Sequence, residues 1–155
     1  MLSKFELVKD GNGALSLQKV GEINLQLKKC AKPAEIFENF NKLLNIPALA
    51  EEHVWVLVMA NDCTPVGFFE ISKGSTNSTI CAVYSVVTRV LLTEGISFVL
   101  LHNHTSPSPY PSSADRELTQ SVLDASNLLS LQFCDHIIMS TNNYYSFREH
   151  HDILV

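Results

Sequence analysis

The sequence lacks any apolar run long enough to cross a membrane. Its longest apolar stretches, such as 54–60 and 96–101, have the length of a strand, whereas a bilayer requires about 20 apolar residues. Charged side chains interrupt the first ten residues, at Lys4, Glu6, Lys9 and Asp10, which argues against the apolar core of a signal peptide. The sequence therefore predicts a cytoplasmic protein without a membrane partner.

Closely spaced cysteine pairs are also missing. The four cysteines lie far apart and form no CxxC pair, at Cys30, Cys63, Cys81 and Cys134. This spacing indicates neither a structural zinc knuckle nor a dense disulfide framework. We expect reduced and mostly buried thiols.

Positive charge is scarce. The chain has 11 Lys and Arg residues against 16 Asp and Glu residues, with a net charge of -5. Its longest basic cluster is Lys28-Lys29, so the sequence offers no extended surface for a phosphate backbone. Direct nucleic-acid binding is disfavoured. Apolar residues, at 46% of 155, are in contrast abundant enough for the core of one domain over 1–155.

Residues 1–30 predict an N-terminal β extension. Alternating apolar residues flank the turn-forming segment 10–13, which is typical of a hairpin. A further short strand is predicted from Ile23 to Leu27.

Residues 33–148 predict an α/β core. Helices are expected from Pro33 to just before Pro47, from Ala82 to a Gly95 cap, and over 113–130. Strands are expected at 53–60, 66–71, 96–101, 133–139 and 144–147, with a polar loop over 74–79. This alternation predicts a layered mixed β-sheet flanked by helices.

Two histidines follow the buried strand at 96–101. Residues i and i+2 of an extended segment project to the same side, so His102 and His104 can bind one ion. Asp115 lies in the first turn of the next predicted helix and can add a carboxylate oxygen. Two imidazoles and one carboxylate make the open three-ligand set that catalytic zinc prefers.

Ser112 has two interpretations. The pattern Ser112-x-x-Asp115 is that of a helix capping box, which requires no metal. The Ser112 hydroxyl can also hydrogen-bond an oxyanion beside the metal. Both interpretations stay open at the level of sequence, because one side chain can serve both purposes.

The segment 100–115, LLHNHTSPSPYPSSAD, resembles the RadC-type version of the JAMM metalloprotease motif. Residues 134–138 and 145–147 resemble the closing strands of the same family. The resemblance implies a JAB/MPN fold, which is similar to that of cytidine deaminases. It also implies Zn²⁺ bound by His102, His104 and Asp115, and a peptide or protein substrate.

The same resemblance implies a glutamate as general base upstream of the histidines. Glu52, in front of the apolar strand at 53–60, fits this position best, and Glu70 is the competing candidate. A carboxylate near a zinc-bound water can accept its proton. Glu52 and Ser112 are therefore the predicted catalytic residues of a zinc-dependent peptidase or isopeptidase.

The loop after the histidines departs from the family pattern His-Asn-His-Pro-Ser-Gly. Thr105 replaces the proline and Pro107 replaces the glycine, and Pro107 fixes φ and removes an amide donor. This motivates an alternative, a catalytically inactive JAB/MPN interaction or regulatory module linked to DNA repair or mobile-element biology. A homo-oligomer is compatible with either function.

Two other zinc or nuclease classes fit less well. The string His-Asn-His suggests an HNH nuclease, but in that class the named residues are dispersed, and the spacing to Asp115 favours JAMM. A nucleobase deaminase requires His-x-Glu and Pro-Cys-x-x-Cys, and the sequence contains neither.

Overall fold

The computed structural model describes residues 1–25, 27, 31–74, 79–93 and 95–153. The predicted alternation of strands and helices is confirmed. Strands are β1 (Leu2–Lys9), β2 (Leu15–Ile23), β3 (His53–Met59), β4 (Pro65–Lys73), β5 (Ser97–Asn103), β6 (Gln132–Met139) and β7 (Tyr144–Ser146). Helices are α1 (Pro33–Leu44), α2 (Thr79–Leu92) and α3 (Ser113–Leu129), with a 3₁₀ turn at Ile46–Ala48.

The seven strands form one mixed sheet in the order β2-β1-β4-β3-β5-β6-β7. Two neighbouring pairs, β1 with β4 and β5 with β6, are parallel, and the other four are antiparallel. This confirms the predicted α/β class with a mixed sheet. Strands β3 and β5 lie at its centre and are buried along their whole length.

The sheet has a hydrophobic core on each face. On one face, α2 and α3 cover a cluster that includes Val56, Phe98 and Leu100. On the other face, α1 contributes Ile36 and Phe40 to a second cluster. Because alternate residues of a strand point to opposite faces, the nearly continuous apolar runs of β3 and β5 supply both cores.

The N-terminal hairpin is part of the same sheet. Its first strand pairs with β4 at Lys4 and Phe68, and its Phe5 ring stacks on Phe69 at a centroid distance of 5.7 Å. The predicted strand from Ile23 to Leu27 is wrong for the residues that are described. Ile23 closes β2, while Leu25 and Leu27 belong to no strand, and residue 26 lies outside the described residues.

The predicted closure of α2 by Gly95 is wrong, because the helix ends at Leu92, three residues earlier. A Cβ atom at Gly95 would instead lie 2.1 Å from Cγ1 of Val58, far inside van der Waals contact. Glycine is required here because the chain passes close to β3.

Two expectations are resolved in part. Cys63 and Cys134 are half-buried, whereas the side chains of Cys30 and Cys81 lie outside the described residues, as do 75–78 of the predicted polar loop. None of the helices in the described ranges has the length and apolar character needed to span a membrane.

Candidate metal centre

The predicted site lies where β5 ends and α3 begins. His102 is the penultimate residue of β5, and His104 follows the strand directly. The amide of His104 donates to the Met139 carbonyl at 2.8 Å, which continues the β5–β6 pairing past the end of the strand. The two imidazole rings are nearly perpendicular, with centroids 5.0 Å apart. As predicted, both side chains project to one side.

Asp115 lies against both histidines. Its Oδ1 atom is 3.0 Å from His102 Nδ1, and its Oδ2 atom is 3.3 Å from His104 Nε2. The three side chains are largely buried, with exposed fractions of 7–11%. The start of α3 therefore brings the predicted carboxylate to the two predicted imidazoles.

The hydrogen bonding of the buried His102 Nδ1 atom bears on whether these residues fit a metal. Despite its distance of 3.0 Å from Asp115, this nitrogen has no hydrogen-bond partner of acceptable geometry. An unpaired buried polar atom is costly, and native proteins rarely leave one without a purpose. A buried imidazole nitrogen beside a carboxylate oxygen offers two of the ligand types that zinc accepts, so the chemistry of these residues fits zinc.

Glu52 lies on the other side of His102. Its Oε2 atom is 3.6 Å from His102 Nε2, and its backbone carbonyl accepts a hydrogen bond from the Gly74 amide at 2.8 Å. Gly74 has a φ of 76°, which few residues other than glycine adopt readily. Among the described residues, Glu52, His102 and His104 each offer a ligand atom within 4.8 Å of the others, so this group contains the predicted base Glu52 and not the predicted ligand Asp115.

Glu70, the competing base, is occupied elsewhere. Its Oε1 atom is hydrogen-bonded to Nδ1 of His53, whose ring stacks on Trp55. Trp55 belongs to the core cluster beneath α1, on the face opposite α2 and α3. Glu52 lines the cavity at the candidate site, whereas Glu70 is not among its lining residues. Geometry thus favours Glu52.

Ser112 is the N-cap of α3, as the capping-box interpretation predicts. Its hydroxyl accepts from the Asp115 amide at 3.2 Å and donates to Asp115 Oδ2 at 2.6 Å, and its own amide donates to Oδ2 at 2.7 Å. A hydroxyl has one hydrogen, so it cannot donate to Asp115 and to an oxyanion at the same time. In this arrangement Ser112 orients the Asp115 carboxylate, and its role as an oxyanion donor stays a prediction.

The loop that departs from the family pattern still holds His104. Nδ1 of His104 is 3.1 Å from the carbonyl oxygen of Ser108. A carbonyl only accepts, so Nδ1 of His104 donates to Ser108, while Nε2 lies 3.3 Å from Asp115 Oδ2. Such a backbone partner commonly fixes the orientation of a metal-binding histidine. Pro107 and Pro109 therefore do not prevent the loop from positioning this ring.

The charges of the site are strongly coupled. Burial opposes a charge on His102, but its contacts with Asp115 and Glu52 outweigh burial and raise its pKa to about 9. Burial also opposes the charge of Asp115, yet the two histidines and Ser112 hold its pKa well below the usual range. Contact with His102 lowers the pKa of Glu52 as well, so both carboxylates are ionised at neutral pH.

A cavity of about 500 Å³ opens beside these groups. Carboxylate and imidazole groups of the site form one wall, and small or apolar side chains form the rest, among them Val54, Ala82 and Leu118. Tyr110, which is 71% exposed, lies at its edge and contacts the Tyr145 ring. None of the described lining residues is a lysine or an arginine.

His136 is a fully buried, hydrogen-bonded residue of the core beside His102. Thr119 Oγ1 donates to the Asp115 carbonyl at 2.6 Å, so His136 Nδ1 donates to Thr119 at 2.7 Å. The His136 ring lies nearly parallel to His102 at 6.1 Å and to Phe147 at 5.0 Å. Burial, followed by the charge of His102, lowers the pKa of His136 to about 3. A neutral ring thus supports the buried side of the site.

Asp135, the neighbour of His136, does not orient a histidine of the site. It accepts hydrogen bonds from the Ser146 hydroxyl at 2.6 Å and from the Arg148 amide at 3.0 Å. Burial raises its pKa to about 6. Its hydrogen bonds therefore connect β6 to β7 and to the segment that follows β7.

The mixed seven-stranded sheet with three helices is consistent with a JAB/MPN fold. A family model described as the RadC-like JAB domain matches residues 30–152. The chain belongs to this family, which confirms the resemblance drawn from the motif.

Proteins named UPF0758 are among the relatives. The one from Flavobacterium johnsoniae is 31% identical over 123 residues, which cover 79% of this chain and 53% of that protein. The one from Coprothermobacter proteolyticus is 34% identical over 96 residues, or 62% of this chain and 41% of that protein. The chain thus spans about half the length of these relatives.

Proposed function

We propose that this chain is a zinc-dependent hydrolase of peptide or isopeptide bonds. The observation that carries the proposal is the convergence of two imidazoles and two carboxylates on an open cavity, with the buried His102 Nδ1 unpaired. His102, His104 and Asp115 would hold the ion. When bound, zinc supplies a Lewis acid that polarises a carbonyl and lowers the pKa of water from 15.7 to about 7.

Glu52 is the general base in this proposal. Its carboxylate lies on the cavity wall next to His102 and is ionised at neutral pH, so it can accept a proton from an attacking water. Its backbone is held by Gly74, which restricts where the carboxylate can reach. Ser112 keeps Asp115 in place and becomes an oxyanion donor only by giving up its 2.6 Å bond to that carboxylate.

The charge of the cavity favours an amide over a phosphodiester. Its described lining contains the carboxylates of Glu52 and Asp115 and no lysine or arginine. The basic residue of α3, Arg116, is paired with Asp152 at 2.9 Å. With zinc bound, the two carboxylates offset the charge of the ion, and the described lining has no lysine or arginine that would attract a polyanionic substrate, whereas a neutral amide requires none. We therefore propose a peptide or protein substrate.

A panel of peptides and lysine-linked isopeptides, incubated with zinc-loaded protein, tests this function. Hydrolysis is expected in the wild type, and Glu52→Gln should lower kcat by at least about 100-fold because the base is lost. Glu70→Gln is the matched control and should retain activity, because Glu70 is bound to His53.

Three results would change the assignment. Hydrolysis that survives in Glu52→Gln and disappears in Glu70→Gln would move the base to Glu70. A zinc-loaded wild type that cleaves nothing in the panel would favour the inactive interaction module. Cleavage of nucleic acid by the same protein would contradict the argument from charge.

A further inference from the structure

Asn103, between the two histidines, has an unusual pair of partners. Its side chain is completely buried, and it forms hydrogen bonds to two backbone groups. Oδ1 accepts from the His53 amide at 2.7 Å, and Nδ2 donates to the Glu51 carbonyl at 3.0 Å. These two residues flank Glu52, so one amide group on β5 holds both sides of the proposed base.

This contact replaces backbone pairing at a point where the strands separate. The antiparallel ladder between β3 and β5 ends at the pair of Val54 and His102. Beyond it, the Asn103 side chain takes the place of the missing backbone partner for His53 and extends the connection to Glu51. Together with the Gly74 bond to the Glu52 carbonyl, it fixes the backbone of three consecutive residues.

The side chain at this position must meet strict requirements. It must accept on one side and donate on the other, at a length that spans from β5 to the segment before β3. An ionised aspartate only accepts hydrogen bonds. Serine has a shorter side chain with a single hydroxyl, in place of the separate acceptor and donor of asparagine. Asparagine meets both demands without a buried charge, and its two bonds satisfy a side chain that is otherwise inaccessible to water.

We infer that Asn103 is a positioning residue that sets the Glu52 carboxylate relative to His102. The inference rests on the proposed hydrolase function, because it assigns Glu52 a task that requires accurate placement. Asn103 follows His102 directly, so the strand that presents a predicted zinc ligand also determines where the base lies. A displacement of about 1 Å in such a group can reduce turnover by about 100-fold.

A role confined to stability gives different expectations. Loss of two buried hydrogen bonds would then lower the free energy of unfolding and raise exchange throughout the chain, with no special relation to Glu52. A positioning role predicts a local change at residues 51–53. It also predicts that the effect on turnover disappears once the Glu52 carboxylate has been removed.

The test combines hydrogen exchange with a double-mutant cycle in Asn103→Ala. Exchange of the His53 amide in the metal-free protein should accelerate at least about fivefold, while amides in the centre of β5 keep their rates. In the zinc-loaded protein, kcat should fall by about 10- to 100-fold with little change in KM. The kcat of the double variant, Asn103→Ala with Glu52→Gln, should be at most about twofold lower than the kcat of Glu52→Gln alone.

Ser126→Ala is the matched control, since Ser126 is also fully buried and donates one bond, to Val122, within α3. It should leave kcat and His53 exchange unchanged. Asn103→Ser serves as a second variant if the alanine protein does not fold. Unchanged His53 exchange, or losses that add in the double variant, would overturn the inference. A wild type without hydrolysis would refute the proposed function, while exchange would still decide whether Asn103 holds the segment.

Discussion

Replacement of Ser112 by alanine distinguishes three roles of its hydroxyl: capping α3, orienting the Asp115 carboxylate and donating to a substrate oxyanion. The variant loses the 3.2 Å bond from the Asp115 amide and the 2.6 Å bond to Asp115 Oδ2, but keeps the 2.7 Å bond from its own amide. Loss of an N-cap costs about 0.5–2 kcal/mol, which for a chain of this size corresponds to a melting temperature lower by roughly 1–8 °C.

Zinc affinity should fall in the same variant. The Asp115 carboxylate loses one of the two donors from Ser112, and removal of such an outer partner typically reduces metal affinity by about 10- to 100-fold. Calorimetric unfolding of the metal-free protein measures the cap, and competition with a chelator measures zinc affinity. Ser112→Thr keeps a hydroxyl and should remain close to the wild type in both measurements.

The two readouts can refute the reasoning separately. An unchanged melting temperature of the metal-free Ser112→Ala protein would contradict the capping role. Unchanged zinc affinity together with a lower kcat would mean that Ser112 acts on the substrate oxyanion and does not orient Asp115. The sequence left these interpretations open, and the geometry favours orientation because the single hydrogen is directed at Asp115.

Two further predictions concern stability. The pKa of Asp135 is about 6 in the fold against 3.8 for an unperturbed group, so the folded state binds the proton more tightly and stability falls as pH rises from about 4 to 7. Asp135 contributes a change of roughly 2 kcal/mol in the free energy of unfolding between these two pH values. Urea unfolding of Asp135→Asn at both pH values should therefore show a weaker decline than the wild type, and an identical decline would contradict the prediction. Gly95→Ala should lower the free energy of unfolding by about 1–3 kcal/mol, because its Cβ would overlap Val58. Gly21→Ala is the control and should not lower it, because nothing lies within 4 Å of a Cβ at that position. Equal effects of the two substitutions would refute the steric argument.

Local sequence patterns predicted most of the strands and helices of the fold. The apolar runs at 53–60 and 96–101 predicted buried strands, and these strands occupy the centre of the sheet. The start of α3 was predictable because Ser112 and Asp115 form a capping box that is readable within four residues. The strand predicted beyond Ile23 was wrong because an apolar pattern does not indicate whether a pairing partner is available.

The site was predictable where it depends on neighbours in sequence. His102, His104 and Asp115 are brought together by one strand end, one loop and one helix start, so their spacing was informative. The choice between Glu52 and Glu70 was not, because it depends on the pairing of β3 with β5 and on which face of the sheet each carboxylate occupies. The hydrogen-bond partners of Asn103 could not be predicted either, because they lie about 50 positions away in the sequence and depend on how the strands pair.

The zinc content of protein purified without chelators tests the central claim most directly, compared between the wild type and His102→Ala. The wild type should contain about one zinc per chain, as expected for a site with two imidazoles and a carboxylate. His102→Ala, which removes the buried unpaired nitrogen, should contain far less. Equal zinc content in the two proteins, or none in the wild type after exposure to zinc, would contradict the assignment of this site.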